Sequence, residues 1–212
     1  MTDIFREIDE DMRRDRLEAV WRRYGSYIIA AAVAVVVATG AYVGWQRYAE
    51  SARTERAAVF VGAMDLLARQ DAGAEAALTS IASEGGGYAA LARLQQAAQM
   101  AKAGDVAGAI EIYEAMAGDG SLEAPFRDLA LILIGLRSVD TAEPAALTAR
   151  LAPLAEDGQP WRHSARELLA LLAQRAGDTA KARELLNRLV DDQEAPQGAR
   201  RRATELLQGL PE

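Results

Sequence analysis

The sequence predicts an all-α protein: a single transmembrane helix, then an α-solenoid of about four helix pairs, then a C-terminal capping helix. Three observations predict it. SYIIAAAVAVVVATGAYVGW, Ser26 to Trp45, holds no charged residue, and none lies between Arg23 and Arg47. Beyond Arg47, apolar-periodic segments alternate with Gly, Asp and Pro breaks, and no alternating β-branched run suggests a strand. Finally, AKAGDVAGAIEIYEAM (101–116) and QRAGDTAKARELLNRL (174–189) carry one pattern twice.

Residues 1–25 read as a cytoplasmic amphipathic segment. Ile4, Phe5, Ile8 and Met12, then Leu17, Val20, Trp21 and Tyr24, recur at helical spacing among charged residues. Asp3 is placed to cap this helix. It leads into the anchor, and it has the pattern of a helix lying on a leaflet or docking a partner.

Residues 26–46 read as the transmembrane helix. Twenty helical residues span about 30 Å, the thickness of a hydrocarbon core. Tyr24, Tyr27, Tyr42, Trp45 and Tyr48 sit near the two ends, where interfacial aromatics belong. The long, mixed-charge leader argues for an uncleaved anchor rather than a signal peptide. Arg13, Arg14, Arg16, Arg22 and Arg23 precede the run, and Arg47, Arg53 and Arg56 follow it, so the arginine bias puts the N-terminus in the cytoplasm. Gly40 and Gly44 form a small-xxx-small pair suited to helix–helix packing.

Residues 47–212 carry helical periodicity near 47–70, 74–84, 88–103, 106–117, 125–138, 144–156, 161–176, 179–191 and 197–208. In the repeated pattern Ala-Gly-Asp is followed by a small residue, Ala109 or Ala182, and then by Ile112, Tyr113 and Met116 or Leu185, Leu186 and Leu189. Gly is expected to end one helix in the left-handed region, and Asp to cap the next. Fainter copies lie at 72–82 and 142–155. The spacing of roughly 32–38 residues is the tetratricopeptide (TPR) scale. Helix 47–70 is expected to be a stalk and 197–208 a cap.

Composition narrows the chemistry. Cysteine is absent, which excludes disulfides, thiol catalysis and thiolate metal sites. Residues 1–56 are charge-neutral, so 57–212 carry the whole net charge of −7, an unfavourable surface for phosphate backbones. The one histidine, His163, is not in a His-Glu-x-x-His motif. Gly85-Gly86-Gly87 has no strand before it and no Lys-Ser/Thr after it, and reads as a loop. Gly118-Asp119-Gly120 lacks the carboxylates of a calcium loop. Asp191, Asp192 and Glu194 read as a solvated acidic turn. No catalytic constellation, metal site or cofactor is expected.

DRLEAVWRRYGSYIIAAAVAVVVATGAYVGWQRY (15–48) resembles the opening of the ancillary SecYEG translocon subunit family, the YfgM-like proteins. The likeness rests on Leu17-Glu18-Ala19-Val20, Trp21-Arg22-Arg23-Tyr24, and Gly44-Trp45 with Tyr48. GYAALARLQQAAQMAKAGD (87–105) is similar to that family's first clear repeat helix. The resemblance implies a single-pass bacterial inner-membrane protein with a periplasmic TPR-like domain. Its implied partners are the Sec translocon, a membrane-anchored periplasmic chaperone and client polypeptides. Residues 1–14 are longer and more charged than the family pattern.

The expected function is a non-enzymatic interaction module assisting secreted or membrane protein biogenesis. Helix position makes Tyr88, Arg93 and Gln96 the candidate partner contacts. A TPR scaffold for another cell-envelope complex is the alternative, and a cytoplasm-facing regulator of opposite topology is a third reading.

Overall fold

The computed structural model describes the backbone of residues 3–211 and the side chains of 21–211, apart from Ile28, Ala31, Ala32 and Ala52. All its regular elements are helical: α1 (Asp3–Ala68), α2 (Gly73–Ser83), α3 (Gly86–Lys102), α4 (Val106–Ala117), α5 (Ala124–Ser138), α6 (Pro144–Leu151), α7 (Arg162–Arg175), α8 (Thr179–Asp191) and α9 (Gln197–Gly209), with a 3-10 turn at Ala152–Ala155. The chain divides into two compact units, residues 1–56 and 57–212.

In the first unit the described large apolar side chains lie open. Trp21, Tyr24, Tyr27, Ile29, Val33, Val35, Val36, Val37, Tyr42, Val43, Trp45 and Tyr48 are all exposed, Tyr48 at 74%. Thr39, the one hydroxyl in the middle of this stretch, donates to the Val35 carbonyl at 2.8 Å and is satisfied by its own helix. Among the described residues, no helix is long and apolar enough to cross a membrane. The expected 26–46 span contains three residues outside that set, Ile28, Ala31 and Ala32. The side chains of residues 1–20, and with them most of the expected amphipathic face, also lie outside it.

In the second unit each helix from α2 to α9 packs on the next, and α7 also touches α5 and α9. Turn chemistry sets the hairpins. Gly104 (φ 96°) and Gly177 (φ 80°) end α3 and α7 in the left-handed region. Asp105 N–H then donates to Met100 O at 2.9 Å, and Asp178 N–H to Ala173 O at 2.8 Å, tying up carbonyls left free at the helix ends. The same aspartates open the next helices, accepting from Gly108 N–H and Lys181 N–H at 2.9 Å. One Gly-Asp pair therefore finishes one helix and starts another.

Small residues let the helices approach. Ala92, Ala130 and Ala165, at matching places on α3, α5 and α7, are fully buried, as are Ala109 and Ala182 on α4 and α8. On α5, Gly135 is packed so closely that a Cβ would meet Leu168 at 2.8 Å and Leu151 at 3.2 Å. The larger expected positions Tyr113, Met116, Leu185, Leu186 and Leu189 are buried in the main core, and Ile112 packs on it half-buried. A smaller cluster joins Ala63, Leu78, Ile81 and Ala92, with Phe60 and Tyr88 against it.

Two local expectations need correction. Helix 144–156 ends at Leu151 and finishes as a 3-10 turn, because Pro153 has no N–H to continue the ladder. Only Gly85 of the glycine triplet is outside a helix; it caps α3, which begins at Gly86. The α1 helix carries through the expected stalk and ends at Ala68, with Gln70 (φ 57°) in the turn that follows.

Candidate functional site

The repeat is longer than the short pattern suggested. Residues 74–119 reappear at an offset of 73: Leu78 and Leu151, Ile81 and Leu154, Ala92 and Ala165, Gly104 and Gly177, Tyr113 and Leu186 hold the same places. Polar contacts repeat at the same offset. Arg93 Nε donates to the Ala82 carbonyl at 3.3 Å, and Arg166 Nε to the Ala155 carbonyl at 3.0 Å. Arg93 Nη1 reaches Asp119 Oδ2 at 2.9 Å, and Arg166 Nη1 reaches Asp192 Oδ2 at 3.2 Å. Each arginine thus pins three consecutive elements: the end of the preceding helical segment, its own helix, and the turn after the next helix.

These clamps give Asp119 and Asp192 structural roles. Asp119 accepts from the hydroxyl and N–H of Ser121 at 2.6 and 3.0 Å, and from Arg93. Those contacts, the Ser121 ones foremost, hold its carboxyl at about 2. Asp192 is 19% exposed and meets His163 Nε2 at 3.0 Å as well as Arg166. The N–H of Glu194 is the first cause of its lowered pKa, followed among the favourable contacts by His163 and Arg162. The expected solvated acidic turn at 191–194 is therefore an anchored one: Asp192 binds α7, and Glu194 takes Arg162 at 2.5 Å. No short motif signals this, because the partners are 26 to 32 residues away.

The candidate contacts fall into two groups. Tyr88 packs on Phe60, ring centroids 5.7 Å apart, and Arg93 is the clamp just described, so both have structural partners inside the chain. Gln96 donates to Thr79 Oγ1 at 2.8 Å and lines a groove of about 940 Å³. The groove lies among the end of α1, the start of α2, the end of α3 and Ile112 of α4. Met64, Leu78, Met100 and Ile112 give it an apolar floor, while Asp71, Glu75, Gln99 and Lys102 supply polar groups. It was not legible in advance, since it depends on how α1 meets α2 and α3. In the first unit, a Cβ added at Gly40 or Gly44 would meet nothing within 4 Å, so neither glycine has a partner within the described chain.

Among the described residues, no group of three His, Cys, Asp or Glu is arranged to hold a metal ion. The arrangement combines ties between helices with an open groove, which suits binding of another chain. Comparison with known proteins finds no significant match among curated proteins or solved structures. A family model does match, over residues 18–184, well beyond half the chain. Its domains are typically non-catalytic protein-interaction modules. The chain, all-α and built of helix pairs with Gly-Asp turns, belongs to the tetratricopeptide repeat-like domain family.

Proposed function

We propose that this protein is a membrane-anchored interaction module, held by residues 26–46, that assists secreted or membrane proteins beside the Sec translocon and membrane-anchored periplasmic chaperones. The observation that supports the anchor is that twelve large apolar side chains from Trp21 to Tyr48 are exposed among the described residues, with no charge between Arg23 and Arg47. Water is a poor solvent for that surface, whereas a bilayer core covers it over the right length. The internal hydrogen bond of Thr39 removes the one polar cost in its middle. The family match begins at residue 18 and runs through the apolar stretch, so the stretch belongs to the matched pattern.

The arginine bias favours a cytoplasmic N-terminus and a periplasmic repeat domain in the bacterial inner membrane. The choice of the Sec translocon and chaperone as partners rests on the sequence resemblance at 15–48 and 87–105. Crosslinking in cells from positions in the groove and on α3, followed by mass spectrometry, tests it. Recovery of translocon or periplasmic-chaperone subunits is the expected result. Their consistent absence from crosslinked material that contains other envelope proteins would favour a scaffold for a different cell-envelope complex.

A further inference from the structure

The buried apolar residues of the repeat domain form two separate cores, and α3 stands between them. One face of α3 buries Ala90 and Ala97, with Leu94, Met100 and Ala101 beside them, in a core that runs on through α4 to α9. The other face meets a small core made of Ala63, Leu78, Ile81 and Ala92. Its two large buried members, Leu78 and Ile81, both belong to α2. No buried residue of α2 is part of the larger core.

The α2 helix also lacks the ties of α6, its counterpart 73 residues on. Where α6 has the buried Leu147 and Arg150, α2 has Ala74 and Ala77. Arg150 donates to both carboxylate oxygens of Glu114 on α4, at 2.7 and 2.6 Å. The helices α4, α6 and α8 open on carboxylate caps from Asp105, Glu143 and Asp178. By contrast, α2 opens on Ala72, which has no side-chain acceptor, and its first residue is Gly73. Asp71 accepts from the Gly73 N–H at 2.7 Å. Two side-chain bonds tie α2 to α3: Arg93 Nε to the Ala82 carbonyl at 3.3 Å, and Gln96 Nε2 to Thr79 Oγ1 at 2.8 Å. The second of these is exposed to water, where such a bond adds little.

We propose that α2 is a lid on α3, opening as a unit while α3 to α9 stay folded. Stability in such arrays is distributed among units and their interfaces, and the weakest interface opens first. Eleven residues are too few to remain helical alone in water, so α2 leaves α3 and unfolds in one event. Opening uncovers Ala92 and frees Arg93 from the Ala82 carbonyl and Gln96 from Thr79. Arg93 keeps its bond to Asp119, so the clamp on the larger core survives. The α3 face that carries Arg93 and Gln96 is therefore gated by α2.

Hydrogen exchange of the full chain in detergent micelles, followed by mass spectrometry, tests the lid. Without denaturant, protection of α2 amides is expected to be at least about a hundredfold below that of the best-protected α7 amides. A variant in the larger core separates a lid from a domain that opens all together. Leu172, buried in α7, makes its contacts whether the lid is open or closed. Leu172→Ala is thus expected to speed α7 exchange about thirtyfold or more and to leave α2 exchange unchanged. The milder Ile134→Val on α5 is expected to give the same pattern at about fivefold, and serves if Leu172→Ala does not fold. Protection of α2 within about threefold of α7, or a core variant that speeds α2 as much as α7, would overturn the proposal.

Discussion

Arg93 and Arg166 share one geometry but differ in enclosure. The Arg166 side chain is 2% exposed, against 30% for Arg93. Arg166 also contacts Asp157 and so satisfies more of its donors. Truncating it removes a buried stem and leaves the Ala155 carbonyl and Asp192 without that donor. Arg166→Ala is expected to cost about 2–4 kcal/mol of unfolding free energy, and Arg93→Ala clearly less, both read by urea denaturation. The repeated aspartates add a pH signature. The Asp119 carboxyl, ordinarily 3.8, lies at about 2 in the folded chain. A depressed carboxylate contributes stability above its unfolded pKa and loses it as pH falls through the folded one. Asp119→Asn is therefore expected to lower the melting temperature at neutral pH, and the gap to the parent to close between about pH 4 and pH 2. A gap that stays constant across that window contradicts the assignment. Residue types alone showed the acids but not the clamps: Asp192 becomes part of a cluster only when α7 and the end of α8 meet.

At the scale of elements, local chemistry made most boundaries legible. The Ala-Gly-Asp turns at 103–105 and 176–178 adopt the expected caps because left-handed backbone, free carbonyls and an N-cap carboxylate are local requirements. Gly104→Ala and Gly177→Ala are each expected to cost about 1–2 kcal/mol, while Gly120→Ala, with ordinary φ and open space, is expected to be near neutral. The Gly135 contact was not legible, because it depends on Leu151 and Leu168 from two other elements. Gly135→Ala is expected to cost about 1–3 kcal/mol through overpacking, with Leu168→Ala recovering part of that loss in a double-mutant cycle. The early end of α6 follows from Pro153, whose missing N–H outweighs the apolar periodicity that continues past it.

At the scale of the whole molecule, the helical-repeat architecture could be read because each pair is built from nearby residues and the pattern recurs. The offset of 73 is already present in the two Ala-Gly-Asp segments, but its extent over 74–119 and the open groove could not be read, since both emerge from comparing contacts. The acidic repeat domain and the apolar stretch from Ser26 to Trp45 make opposite demands on solvent, and together they motivate the proposed placement across a membrane. An alkaline phosphatase reporter fused after Glu212 of the full chain tests that placement, since the enzyme matures only beyond the inner membrane. The account predicts an active fusion that sediments with membranes and resists alkaline carbonate extraction; an expressed but inactive fusion, or one released by carbonate, would contradict it.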